Sequence, residues 1–248
     1  MNRDLEWDGC LNVRDLGGVA LADGGETRSG VLVRADNIRR LTDDGWRSLA
    51  AHGVARIVDL RWPEELAEDP PRDVDIDVVH VSLLGELDPD FTDDIRDYMA
   101  VNDPAGYWAI AYTRILRAYA PNFARALAAI ADAPEGGAVV FHCAGGKDRT
   151  GLVAALLLRL AGAPIEEIAG DYALTAERRA VSPDSWVEAA PDDDERERRL
   201  FMQHTPAEAM QGALEELERE HGTAEAYLAH AGLDEARIDR LRERLRRV

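Results

Sequence analysis

The residues best placed for chemistry lie in one run, Val139-Val140-Phe141-His142-Cys143-Ala144-Gly145-Gly146-Lys147-Asp148-Arg149-Thr150-Gly151, followed by the apolar stretch Leu152 to Leu158. The order of residue types reads as strand, glycine-containing loop, then a helix from about Thr150. Backbone N–H groups of the loop Cys143 to Arg149 would point inward, and the helix N-terminus adds partial positive charge at the same place, so the loop is a cradle for a dianion. The same field, with Arg149 and Lys147, favours the thiolate of Cys143, the nucleophilic form. The implied chemistry is attack by sulfur on a phosphoryl group and passage through a covalent phosphocysteine.

Within this reading Ala144, Gly145, Gly146, Lys147, Asp148, Arg149 and Thr150 form the phosphate-binding set. Gly145 and Gly146 let the backbone approach the phosphoryl oxygens with no Cβ in the way. Arg149 offers a planar fork to two equatorial oxygens, in substrate and transition state alike. Thr150 is positioned to donate its hydroxyl to the sulfur and help it leave in the hydrolytic step, while His142 tunes the loop from behind. Of 29 cationic side chains a single one is lysine, Lys147. Arginine and lysine differ where a compact ammonium must meet a phosphate, which draws attention to that position.

Positioning such a loop takes alternating strands and helices. Val31 to Arg34, Val54 to Leu60, Val78 to Leu83 and Ala138 to Phe141 read as strands, with a further one starting near Leu11. Thr42 to Ala51 reads as a helix capped by Thr42, and Tyr107 to Ala118 and Asn122 to Ala131 as two more separated by Pro121. After Gly162 only helices follow: Pro164 to Leu174, Pro206 to Glu220, Thr223 to His230 and Asp234 to Arg247. Ser182 to Arg199, rich in Pro, Asp and Arg, reads as a solvated connector or the edge of a lid. The pattern predicts an α/β fold, a central mostly parallel sheet flanked by helices, with a helical C-terminal third.

The spacing His-Cys-x5-Arg-Thr-Gly resembles the signature of the cysteine-based protein tyrosine phosphatase superfamily, in the form found in its bacterial branch of tyrosine and lipid phosphatases. Asn12-Val13-Arg14-Asp15-Leu16-Gly17-Gly18 is similar to that branch's NxRDLGG segment, and Asp59-Leu60-Arg61 followed by Glu64 to its DLRxxxE segment. Glu220-His221-Gly222-Thr223, Tyr227-Leu228 and Gly232 are similar to its closing pattern. The resemblance thus spans the chain and implies a single tyrosine-phosphatase-like catalytic domain over residues 1–248. It makes Asp148 the first candidate for the acid that protonates the leaving oxygen. Asp59, at the C-terminal end of a central strand, is the second, its other role being to order the loop. Trp62-Pro63-Glu64 is similar to a mobile acid loop of eukaryotic members, but the third residue is glutamate and the segment lies far before the cysteine. Arg14 and Asp15 are expected to form a structural ion pair.

Lysine in this loop is shared with phosphoinositide phosphatases, so the expected substrate is a phosphorylated protein, phosphotyrosine foremost and dual specificity included, with a phosphoinositide or other small phosphate ester as the alternative. An intact Cys143, Arg149 and Thr150 argue against a phosphoprotein-binding pseudoenzyme, and the helix-starting Arg-Thr-Gly against a sulfur-transfer enzyme. A net charge of −19 disfavours nucleic acid and anionic membrane as partners. The longest apolar run is far short of the roughly 20 residues that span a bilayer, so no stable membrane insertion is expected. Cys10 and Cys143 do not make a disulfide framework, and Asp4, Glu6, Asp8 and Asp15 occupy the start where an export signal would be basic and apolar; the cytoplasm is the expected location. His52, His80, His142, His204, His221 and His230 are scattered, and cysteine chemistry calls for no metal or other cofactor.

Overall fold

The computed structural model describes residues 3–85, 95–180 and 185–246. Among them five strands, β1 (Arg14–Asp15), β2 (Leu32–Ala35), β3 (Val54–Asp59), β4 (Asp77–His80) and β5 (Ala138–His142), form one sheet in the order β1-β2-β5-β3-β4. All neighbours are parallel except β1, which runs antiparallel to β2 at the edge. The strand that delivers the cysteine, β5, is central: Val140 lies opposite Val33 on one side and Ile57 on the other.

Successive strand residues face opposite sides of the sheet and enter two cores. Val33, Ala35, Ile57 and Val140 pack with Trp46 and Leu49 of α1 (Asp43–Ala51), whose N-terminus is capped by Thr42 Oγ1 accepting from Gly45 N–H at 3.2 Å. After β3 the chain forms α2 (Pro63–Glu68), and later α3 (Ile95–Ala100), α4 (Pro104–Ala118) and α5 (Ala120–Ala131). Helix α6 (Asp148–Ala161) follows β5. Leu32, Val58, Val139 and Phe141 face the other way, onto α5 and α6. Every residue of α6 from Leu152 to Leu158 is buried, the condition that fits a helix apolar all round its circumference. Each fully buried leucine there contributes about 2 kcal/mol of transfer free energy, an upper bound because the unfolded chain also buries some of it.

The C-terminal third is helical: α7 (Ile165–Arg179), α8 (Ser185–Glu188), α9 (Asp193–Gln203), α10 (Ala207–His221), α11 (Ala224–His230) and α12 (Glu235–Leu245). Helix α10 packs on α4 and α7, and α12 on α5 and α6, so this layer completes the larger core. No helix among the described residues is long and apolar enough to cross a membrane.

Several elements depart from the sequence expectation. Pro121 does not separate two helices; it sits in the first turn of α5, where a missing N–H costs nothing. Ser182 to Pro183 and Asp184 lie outside the described residues, but most of the segment to Arg199 is helix and not connector. Asp192 caps Glu195 N–H at 2.8 Å, and Glu195 then pairs with Arg198 and Arg199, so the charges that read as solvated loop are a cap and helical pairs. The strand expected to run on to Leu83 ends at His80, and Arg247 also lies outside the described residues.

Candidate active site

The chain leaves β5 at His142, turns through residues 143–147 and enters α6 at Asp148, two residues before the expected Thr150. Asp148 and Arg149 therefore belong to the first helical turn, where a carboxylate is favoured by the helix dipole. Cys143 is 2% exposed, and Thr150 Oγ1 donates to its Sγ at 3.1 Å. Gly146 adopts φ +62°, and a Cβ there would come within 3 Å of the backbone of Ala35 and Asp36; only glycine lets the loop lie on the end of β2.

The loop carbonyls are drawn away from the turn by outside donors. Asn37 N–H donates to Ala144 O at 3.1 Å, Arg179 Nη1 to Gly145 O at 3.2 Å, Asn12 Nδ2 to Gly145 O and Gly146 O at 3.3 and 3.1 Å, and Arg34 Nη2 to Gly146 O at 2.8 Å. The carbonyls of Ala144, Gly145 and Gly146 are thus held by donors outside the loop and turned toward them.

Behind these donors is a buried charge hub. Asp171 on α7 pairs with Arg34 at 2.5 Å, Arg3 at 2.8 Å and Arg14 at 3.5 Å, and Arg14 also donates to Asn12 Oδ1. Burial opposes the charge of Asp171, but Arg34, Arg14 and Arg3 outweigh it and hold the carboxyl far below the usual carboxylate range. Burial and the nearby Arg34 lower Arg14 to about 10. The expected Arg14–Asp15 pair does not form: Asp15 accepts instead from the N–H groups of Gly17 and Gly30 at 2.8 and 2.6 Å, since β1 pairing turns the two side chains to opposite faces of the strand.

Arg149 meets Glu65 of α2 at two points, Nη1–Oε2 at 2.5 Å and Nη2–Oε1 at 3.0 Å, and its guanidinium stacks 4.2 Å from the Trp62 ring. Glu65 Oε2 also accepts from Trp62 N–H at 2.7 Å, which ties the carboxylate to the start of its own helix. Burial opposes the charge of Arg149, yet Cys143 and Glu65 together keep its pKa above the ordinary value. Sequence reasoning singled out Glu64; the DLRxxxE spacing counted from Arg61 lands on Glu65, and that count was the available signal.

Lys147 is 4% exposed and turned into the protein. Its Nζ donates to Met202 O at 2.7 Å, lies 3.5 Å from the centre of the Trp108 ring and is 3.0 Å from Asp148 Oδ1. Burial lowers its pKa to about 8 against the pull of Asp148. Asp148 is one-third exposed, accepts from Tyr112 OH at 2.6 Å, and is held below its ordinary pKa because Lys147, Tyr112 and Arg149 outweigh burial.

Asp59, the second acid candidate, is 1% exposed and spent on Arg61: Nε at 3.0 and 3.1 Å and Nη2 at 2.7 Å, with His142 Nε2 at 3.6 Å. Burial raises its pKa, but Arg61 and His142 more than reverse this, so it sits as a buried carboxylate engaged by Arg61. That geometry matches its other role, ordering the loop: His142, pushed toward the neutral form by burial, bridges Asp59 to the strand that carries Cys143. Cys10 donates to Asn37 O at 3.5 Å, and burial with the nearby Asp36 raises its thiol pKa, the setting of an inert cysteine.

Residues 5–247 match the model of the tyrosine phosphatase family. The chain belongs to that family, and its activity is that of a protein-tyrosine phosphatase. It is 35% identical over 231 residues to a tyrosine-protein phosphatase of Nostoc commune, a match covering 86% of this chain and 74% of that one. It is 27% identical over 274 residues to the triple specificity protein phosphatase PtpB of Mycobacterium tuberculosis, covering 96% and 97% of the two chains.

Proposed function

We propose that this single catalytic domain, residues 1–248, removes phosphate from phosphotyrosine in proteins through a phosphocysteine on Cys143. The Cys143 thiolate attacks phosphorus, and the N–H groups of residues 144–150 and the side-on edge of Arg149 through Nε bind the equatorial oxygens. Asp148 protonates the leaving oxygen and then takes a proton from the water that attacks the phosphocysteine. Thr150 stabilises the departing thiolate. The observation that carries this reading is the 3.1 Å bond from Thr150 to Cys143 Sγ, which sets the sulfur at the N-terminus of α6 inside the loop whose carbonyls are turned away.

Protein substrates are favoured over phosphoinositides by Lys147. A lysine that recognised a second phosphate would have to reach the pocket, and this one is committed to Met202 O, Trp108 and Asp148. Its role is to order the loop. The name of the mycobacterial relative, triple specificity, makes some tolerance for other phosphate esters part of the same proposal. Both cysteines are free thiols, in keeping with a reducing cytoplasm.

The test is phosphate release by wild type and Cys143→Ser from a phosphotyrosine peptide, a phosphoserine peptide and a phosphoinositide at equal concentration, with a chelator present. Fastest release from phosphotyrosine and an inactive variant are expected. Faster release from the phosphoinositide would overturn the substrate assignment, and undiminished activity of the variant the phosphocysteine.

A further inference from the structure

Asp148 is held by one of its two oxygens. Tyr112 OH donates to Oδ1 at 2.6 Å, and Lys147 Nζ approaches the same Oδ1 at 3.0 Å. Behind Tyr112 stands Tyr172, its hydroxyl 2.7 Å away and its ring perpendicular at 5.8 Å between centroids. The two phenols are 0% and 1% exposed. Burial and the charge of Asp148 raise both phenol pKa values well above the ordinary one, so the hydroxyls keep their protons and Tyr112 acts toward Asp148 as a donor.

We propose that Tyr112 is a positioning residue for acid catalysis: by fixing Oδ1 together with Lys147, it makes Oδ2 of Asp148 the oxygen that carries and delivers the proton. This rests on Asp148 being the acid. As the S–P bond to Cys143 forms, the P–O bond to the leaving group breaks, its electron pair stays on that oxygen, and the proton on Oδ2 moves to it. In the second step water bonds to phosphorus and gives a proton to Oδ2, while the S–P electron pair returns to sulfur as thiolate.

The charged and titratable groups around the carboxyl are its chain neighbours Lys147 and Arg149, Tyr112 on α4 and Tyr172 on α7, with Arg179 of α7 acting on Lys147. In the free enzyme these favour the carboxylate. A phosphate dianion beside it disfavours a second negative charge and restores its affinity for a proton. Tyr112 sets the point from which that rise begins.

The experiment measures pH–rate profiles of wild type, Tyr112→Phe, Tyr172→Phe and Asp148→Asn on two aryl phosphates, one with a good and one with a poor leaving group, with thermal unfolding as a fold control. For Asp148→Asn the loss in kcat should grow with leaving-group pKa; a loss equal on both substrates would overturn Asp148 as the acid. Given that result, Tyr112→Phe should lose about 10-fold in kcat on the poor leaving group and little on the good one. Its basic limb, where Asp148 gives up its proton, should move up by about one pH unit, because a donor to the carboxylate is gone. Tyr172→Phe should move the limb the same way by less, since it weakens the Tyr112 donor from behind. A folded Tyr112→Phe with the wild-type limb and equal losses on both substrates would overturn the positioning role. Should that variant not fold, an unmoved limb in Tyr172→Phe would do so.

Discussion

Glu65 and Arg149 are joined at two points, at 2.5 and 3.0 Å, by a carboxylate that is itself pinned to the first turn of α2. In the proposed mechanism the guanidinium that meets the phosphate is thus oriented before substrate arrives, with its terminal nitrogens on Glu65 and its face on Trp62.

Glu65→Gln is expected to keep one acceptor oxygen and lose the other along with the charge, whereas Glu65→Ala loses both acceptors. Steady-state kinetics on an aryl phosphate should show kcat/KM falling by roughly 10-fold in the first and roughly 100-fold in the second, the range typical of residues that orient a catalytic ligand. Equal activity in all three proteins would show that Arg149 needs no such support.

Thr150→Val removes the donor to Cys143 Sγ while keeping the buried shape. The sulfur then leaves phosphorus as a poorer thiolate, so hydrolysis of the phosphocysteine should slow by about 10-fold, the scale of one hydrogen bond to a charged group. Rapid-quench kinetics should show a burst of aryl alcohol and an accumulated phosphoenzyme that wild type lacks.

Asp171→Asn leaves Arg3, Arg14 and Arg34 without the carboxylate they share. Breaking a buried ion cluster in this way costs about 3–5 kcal/mol, read as a lower midpoint in denaturant. The folded carboxyl has a depressed pKa, so its stabilisation is complete above the unfolded value of about 3.9 and is lost as pH falls below it. The difference in stability between wild type and variant should therefore shrink on the acid side of pH 4 and be flat above it.

Lys147 gives a dependence of the same sign in a window several pH units higher. Its folded pKa of about 8 lies below the unfolded value of 10.5, so between these the unfolded chain holds the extra proton and folding gains as pH rises. Against Lys147→Met, wild-type stability measured by denaturant should rise by on the order of 1–3 kcal/mol from pH 8 to 10. A difference that stays constant over that window would mean the ammonium is not buried.

The strand–turn–helix course around Cys143 and most of the fold were legible in the chain. Cys143, Arg149, Thr150 and the glycines are local: they act through a strand, a tight turn and a helix start, which short-range periodicity and backbone freedom announce. The strands β2, β3 and β5, the Thr42 cap and the helical last third were legible for the same reason. Tertiary structure decided everything that depends on residues distant in sequence. It separated Asp148, one-third exposed beside the helix start, from Asp59, whose oxygens are taken by Arg61. It turned Arg14 to Asp171 and not to Asp15, and it brought Glu65 to Arg149 and Tyr112 to Asp148. A carboxylate looks alike in sequence wherever it stands; whether it is an acid, an anchor or a counter-ion depends on which donors and how much water surround it, and only packing sets those.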